Sequence, residues 1–241
     1  MIPLDDLRQN RSAAIVAAIE RVPPGTVVIP EVESVNDLRS VAIGLLEAEA
    51  RGGTVVIRSA SSFAAIRAGS GPRQVGRISV PSPRRVLIAC GSYTAASTAQ
   101  LATLESRGLH IAEVARTSTT DALVGTVRDR LEADGVAVLA TPRSRADDGS
   151  LSSGASMMER LCDVVGRLRD HVDAVIAKGG ITSGAAAISL GAGAARVEGQ
   201  VAPGIALWSL RLADSRTMAY VVIPGNVGSP NAIAGVLDRL R

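Results

Sequence analysis

A three-layer α/β/α fold built on a mostly parallel sheet is what this 241-residue sequence predicts, and three observations predict it. Short runs rich in β-branched residues alternate with longer stretches whose apolar residues recur at helical spacing, the pattern of successive βα units. Aromatic residues are only 2% of a chain that is 46% hydrophobic, so Ala, Val, Leu and Ile must fill the core, as suits a sheet covered on both faces by helices. Three of the apolar runs end in loops of Gly, Ser, Thr and Asn that lead into helices, and right-handed crossovers place such loops on one edge of a sheet.

Taken in order, Thr26–Pro30 (TVVIP) reads as a strand, and Val35–Ala50 as a helix that Ser34 or Asn36 caps and Gly52-Gly53 ends. Thr54–Ile57 (TVVI) is a second strand and Ser59–Ala68 a short helix, giving a small βαβα unit. Gly69–Arg84 is rich in Gly, Pro, Ser and Arg and reads as a linker. Beyond it, Arg85–Cys90 is a buried strand, Ala95–Arg107 a helix, His110–Ala115 a strand, Asp121–Asp134 a helix and Val136–Ala140 a strand. A polar loop over Thr141–Ser153 leads into a helix over Met157–His171, the strand Asp173–Ala177 and an Ala-rich helix. Short strands over Ala195–Val201 and Ala206–Leu210, the strand Met218–Ile223 and a C-terminal helix complete the chain.

Composition narrows the function. The length suits one or two domains. The formal net charge is +3 and the basic residues are spread along the chain, with one cluster at Arg67, Arg73, Arg77, Arg84 and Arg85. No run is dense enough to argue for nucleic acid, and the lack of aromatic platforms argues against single-strand binding. Two cysteines, Cys90 and Cys162, with no CxxC pair, and two distant histidines argue against structural zinc and against a disulfide framework. The polar start MIPLDDLRQNRS is unlike a signal peptide, and no apolar stretch reaches the roughly 18–20 residues that span a bilayer. The expectation is a cytoplasmic protein with no membrane partner.

Chemistry concentrates in three loops: Gly91–Thr94 (GSYT), Lys178–Ser183 (KGGITS) and Pro224–Ser229 (PGNVGS). Glycine lets an anion approach the backbone with no Cβ in the way, and the first turn of the following helix offers unpaired N–H donors at the positive end of its dipole. None of the three is a GxxxxGK[ST] or GxGxxG loop, so from these rules alone they read either as an anion-binding edge or as ordinary capped strand-to-helix turns. Lys178 is the only lysine in a chain that otherwise uses arginine. It reads either as a compact point charge for a phosphate or as a lysine closing the end of its strand.

At these loops the sequence resembles a known family. KGGITS, then Glu198-Gly199-Gln200 with Pro203-Gly204, Trp208 and finally PGNVG follow the order and spacing of the C-terminal domain of the four-carbon acid sugar kinases, and GSYT with Thr98 and Gln100 resembles the loop that opens that domain. Val35–Leu38 and Arg58–Phe63 resemble the last segments of that family's N-terminal domain. The resemblance implies a Rossmann-like nucleotide-binding domain over residues 85–241, a linker over 76–84, and the incomplete end of a sugar-acid-binding domain over 1–75. It implies ATP and Mg²⁺ as cofactors. Ser92, Gly179, Gly180, Ile181, Thr182 and Gly225 would line the nucleotide, with Lys178, Ser183, Asn226 and Gly228 as close neighbours.

The function so implied is the nucleotide-binding part of an ATP-dependent kinase acting on a 3-oxo-tetronate, threonate or erythronate, inactive alone, with the sugar acid held by a missing or separate domain. A second copy of the chain is also an admissible partner. The family's N-terminal aspartate pair followed by Thr-Gly has no counterpart, since Asp5-Asp6 precedes Leu7-Arg8. No motif assigns Asp121, Asp147, Asp148 or Glu198 a catalytic role. The alternative reading is a non-catalytic nucleotide- or metabolite-binding module.

Overall fold

The computed structural model describes residues 1–70, 85–115, 117–143 and 151–241, with only the backbone of 151–153. The expected linker over 76–84 therefore lies outside the described residues, as do Asp147 and Asp148. The chain divides into two compact units, Met1–Pro72 and Arg73–Arg241.

The first unit is helical: α1 (Leu4–Asn10), α2 (Ser12–Arg21), α3 (Val35–Ala50) and α4 (Ser61–Arg67). Helices α2 and α3 pack closely, with Ile15, Val41, Ala42, Leu45 and Phe63 among the core side chains. Gly44 makes the close approach possible, because a Cβ there would lie 2.6 Å from the Ser12 carbonyl and from Ile15 Cβ. Ser34 and Asp37 cap α3 reciprocally: the Asp37 N–H donates to Ser34 Oγ at 3.1 Å, and the Ser34 N–H to the Asp37 carboxylate at 2.8 Å. The two strands expected here do not form ladders. Thr26–Pro30 contributes one isolated parallel bridge, between Ile2 and Pro30, and Thr54–Ile57 none. Their β-branched residues have no neighbouring strand to pack on; Val27 is 79% and Val56 96% exposed.

The second unit is the expected three-layer sandwich. Its strands are β1 (Val86–Cys90), β2 (Ile111–Glu113), β3 (Val136–Ala140), β4 (Ala174–Lys178), β5 (Ala192–Ala202), β6 (Ile205–Leu212) and β7 (Thr217–Ile223), in the order β2-β3-β1-β4-β7-β6-β5. The first five in that order are parallel, while β6 and β5 pair antiparallel at the edge. Strands β1, β3 and β4 are buried along their whole length, the continuous apolar run typical of a strand covered on both faces.

Side chains alternate between two cores. Leu87, Ala89, Val175 and Ala177 face the layer of α6 (Thr120–Asp134), α7 (Leu151–Arg167) and α8 (Gly180–Ser189). Val86, Ile88, Ala174 and Ile176 face α5 (Ala95–Ser106) and α9 (Ala232–Leu240). Strand β1 is followed by α5 on one face and β4 by α8 on the other. The chain moves outward from β1 to β2 and β3 on one side, then crosses to β4 on the other. The boundary between β1 and β4 is thus the topological switch point, where the carboxyl ends of the strands open a crevice. Among the described residues no helix is long and apolar enough to cross a membrane.

Candidate nucleotide site

The three glycine loops leave the carboxyl ends of β1, β4 and β7, which are neighbours in the sheet. The Gly91 N–H donates to the Lys178 carbonyl at 3.2 Å and the Gly179 N–H to the Ile223 carbonyl at 2.9 Å, so the ladder hydrogen bonding runs on into the loops. Thr94 caps α5, accepting from the Ser97 N–H at 3.2 Å, and its Oγ1 donates to the Gly225 carbonyl at 2.5 Å. Ser97 Oγ lies 3.3 Å from the same carbonyl. The loop after β1 is therefore tied to the loop after β7 across the end of β4.

Glycine keeps the space clear where these loops touch. A Cβ on Gly91 would lie 2.4 Å from Thr182 Oγ1, and one on Gly225 would lie 2.8 Å from Ser92 Oγ. Gly179 adopts φ +120°, and a Cβ there would lie 2.7 Å from Thr182 Oγ1. Gly180 is different: nothing lies within 4 Å of a Cβ placed on it. Helix α8 begins there with no side-chain cap on its first turn, so its leading N–H donors face the open side of the crevice.

Each expected site residue can now be placed. Gly180 and Ile181 are exposed at the start of α8, Ile181 by 81%. Ser92 is on the margin of burial, Gly225 is partly exposed, and Asn226 and Gly228 are exposed. Gly179, Thr182, Ser183 and Lys178 are buried, the last completely. Ser183 Oγ turns back to the Gly179 carbonyl at 2.7 Å. Lys178 Nζ donates to the carbonyls of Pro224 and Val227, both at 2.8 Å. Its ammonium thus sits beneath the PGNVG loop rather than open at the loop mouth, because strand alternation directs it to the α5 and α9 face. Burial pulls its pKa below the usual lysine value, opposed by the neighbouring Cys90.

Thr94 and Gln100 belong to the segment that resembles the family's opening loop, with no contact expected of either, while Ser97 and Arg143 carry no expectation from the sequence. Gln100, fully buried on α5, directs Nε2 at the carbonyls of Val227, Gly228 and Ser229 at 3.2, 3.1 and 3.0 Å. Arg143, in the loop after β3, donates from Nη1 to the Ser92 carbonyl at 2.7 Å and from Nε to the Thr141 carbonyl at 3.1 Å, with its guanidinium 5.5 Å from the centre of the Tyr93 ring. Neither Lys178 nor Arg143 is bonded to a carboxylate among the described residues. The contacts of Gln100 and Arg143 reach loops 51 or more residues away in sequence, so they are set by the fold rather than by local spacing.

The crevice therefore offers backbone N–H groups and hydroxyls, with the Lys178 and Arg143 cations held in the loops around it, a setting suited to a polyphosphate. Metal ligands are another matter. Among the described residues no cluster of three or more His, Cys, Asp or Glu side chains could hold an ion. Of the acids considered in the sequence, Asp121 pairs with Arg167 at 2.6 Å and Glu198 with Arg196 at 2.9 Å.

Comparison with known proteins agrees with the geometry. Residues 87–233, more than half of the chain, match the family model described as the nucleotide-binding C-terminal domain. No curated protein matches. Among solved structures, the chain is similar to a Bordetella bronchiseptica domain of unknown function (DUF1537), solved with bound citrate as a domain-swapped dimer, with 19% identity, a TM-score of 0.56, and coverage of 95% of this chain and 56% of that one. A Salmonella typhimurium LT2 protein with a provisional tRNA-synthase description gives 17% identity, a TM-score of 0.62 and coverage of 95% and 57%. A Haemophilus influenzae DUF1537 protein gives 12% identity, a TM-score of 0.52 and coverage of 99% and 60%. At these identities the likeness is one of fold, and the chain spans a little over half the length of the structures it matches. The family match to residues 87–233, the three loops at the switch point and the shared fold together establish that the chain belongs to the four-carbon acid sugar kinase family, of which it carries the nucleotide-binding C-terminal domain.

Proposed function

We propose that this chain is the nucleotide-binding part of an ATP-dependent kinase that phosphorylates a four-carbon sugar acid of the 3-oxo-tetronate, threonate or erythronate type. The observation that carries the reading is the convergence of three glycine loops and the uncapped start of α8 on one switch-point crevice, beside which Lys178 and Arg143 are bonded to no carboxylate among the described residues. Within it, Ser92, the backbone of Gly179 to Thr182, and Gly225, Asn226 and Gly228 hold ATP, while Lys178 and Ser183 support the loops from beneath. Bound ATP with Mg²⁺ supplies the transferable phosphoryl group. The chain's own part is to orient it and to offset its charge, the two contributions on which phosphoryl transfer chiefly depends. Residues 1–75 belong to the sugar-acid-binding side of the enzyme, and a second copy of the chain remains a partner to test.

The described part of the crevice offers no carboxylate to accept the proton of an attacking hydroxyl. That observation favours a second reading, a nucleotide-binding module without transfer activity. A coupled ADP-release assay over a panel of four-carbon sugar acids, with and without a separately made N-terminal domain from a relative, separates the two. The kinase reading expects turnover only when that domain is added. Turnover by the 241-residue chain alone would show that it carries a complete site, and silence in both arms favours the module.

A further inference from the structure

We infer that Lys178 and Gln100 form a buried bracket that sets the peptide planes of residues 224–229, so that the N–H groups of Gly225, Asn226, Gly228 and Ser229 form a nest for a phosphoryl anion. This rests on the nucleotide reading and gives its phosphate a specific seat.

The carbonyls of the loop are almost all taken from below. Lys178 Nζ binds those of Pro224 and Val227, each at 2.8 Å. Gln100 Nε2 reaches those of Val227, Gly228 and Ser229 within 3.2 Å. Thr94 Oγ1 holds that of Gly225 at 2.5 Å. A trans peptide is planar, and its N–H points opposite to its C=O. Drawing the carbonyls of 224, 225, 227 and 228 inward therefore turns the N–H groups of 225, 226, 228 and 229 outward. None of these four N–H groups has a protein partner among the described residues. The Val227 N–H, which follows the one carbonyl left unheld, closes the turn onto Pro224 at 3.1 Å. Ser229 is followed by Pro230, which has no N–H to orient. Gly228 holds φ +95°, a conformation that favours glycine.

Charge points the same way. The Lys178 ammonium is completely buried and its bonded acceptors are neutral carbonyls. A cation on a carbonyl oxygen polarises the peptide and strengthens the N–H on its far side as a donor. Successive outward N–H groups are a recognised form of anion-binding concavity. Lys178 thus acts on the phosphate through the peptide groups of the loop, without touching it. Gln100, which carries no charge, does the same by geometry alone. Both are positioning residues.

The test uses the full 241-residue chain, its Lys178→Met and Gln100→Met variants, and three probes: ATP, adenosine and inorganic tripolyphosphate. Calorimetry should show both variants losing at least tenfold in affinity for ATP and tripolyphosphate, with adenosine binding within twofold of the parent. In the parent, ¹H–¹⁵N spectra should show the amides of Gly225, Asn226 and Gly228 moving on addition of either polyphosphate. Should Lys178→Met fail to fold, Gln100→Met and the amide shifts of the parent still decide. Binding of tripolyphosphate but not ATP would sink the nucleotide reading and leave the nest standing. ATP binding that leaves the 225–229 amides still, or unchanged polyphosphate affinity in Gln100→Met, would overturn the nest and leave the nucleotide reading intact. Failure of the parent to bind either polyphosphate would overturn both.

Discussion

Gly179 shows most directly how single residues shape the crevice. It sits at φ +120° between β4 and α8, with Thr182 Oγ1 2.7 Å and Ser92 Cβ 3.3 Å from where a Cβ would project. Gly179→Ala combines backbone strain with a contact that must give, and is expected to cost about 1–3 kcal/mol, read as a fall in melting temperature. Gly225 has no such backbone strain, and the one tight contact of a Cβ there would be the end of a serine side chain, 2.8 Å away, the next atoms lying at 3.6 Å. Gly225→Ala should therefore weaken ATP binding severalfold while leaving the melting temperature of the free protein within about 2 °C, since a cost below about 0.5 kcal/mol moves it little. Equal thermal destabilisation by the two substitutions would contradict this division. The sequence showed that glycines were wanted in these loops, because glycine between a strand and a helix is a local signal. It could not show which way Lys178 points. That depends on the sheet's alternation and on where the β7 loop folds over it, both long-range facts.

At the scale of elements, legibility followed burial. Strands β1, β3, β4 and β7 are continuous apolar runs in the sequence because helices cover both faces, and each falls within a residue or so of its expected place. The edge hairpin was underestimated: β5 and β6 cover Ala192–Ala202 and Ile205–Leu212, longer than their apolar centres suggest, because β5 is extended by the small residues Ala192, Gly193, Ala194 and Ala202, which carry little strand signal, and the end of β6 is interrupted by the exposed Arg211. Helices α1 and α2 had no counterpart in the sequence reading, as α1 is short and polar and has only Leu7 buried. The runs at 26–30 and 54–57 have strand composition but no neighbour to pair with, so local propensity had nothing to complete it. Helix α3 was legible from its cap, and Ser34→Ala should destabilise the first unit by about 1 kcal/mol in chemical denaturation, with Ser34→Asp close to neutral. Within the second unit, the buried Tyr220 hydroxyl donates to the Ser183 carbonyl in α8 at 2.7 Å. Tyr220→Phe should cost about 1 kcal/mol and loosen the first turns of α8, seen as faster amide exchange there.

At the scale of the whole molecule, acid stability depends on carboxylates held charged by arginine. In the first unit, the hydrogen bond from Arg8 holds Asp37 well below the usual carboxylate range, aided by the Glu33 and Ser34 N–H groups. In the second, the Arg216 backbone N–H, then the Arg216 and Arg169 guanidinium groups, hold Asp214 at about 2. The unfolded chain binds these protons more readily than the folded one. The stabilisation is therefore complete above the unfolded value of 3.8 and is lost as pH falls through the depressed folded values. Melting temperature should be level from neutral pH to about 4.5 and fall below it. Asp214→Asn should flatten the part of that fall lying between 3.8 and about 2. An unchanged acid profile in this variant would contradict the assignment.

The central claim is that the switch-point crevice of the second unit binds ATP, and isothermal calorimetry of ATP with Mg²⁺ into the 241-residue chain tests it most directly. Saturable binding at one site per chain is expected, with adenosine binding more weakly. At a hundredfold excess over the dissociation constant, ligand binding stabilises the folded state by ~2.7 kcal/mol, which raises the melting temperature of a unit this size by about 5–10 °C. No heat and no thermal shift at millimolar ATP would contradict the account.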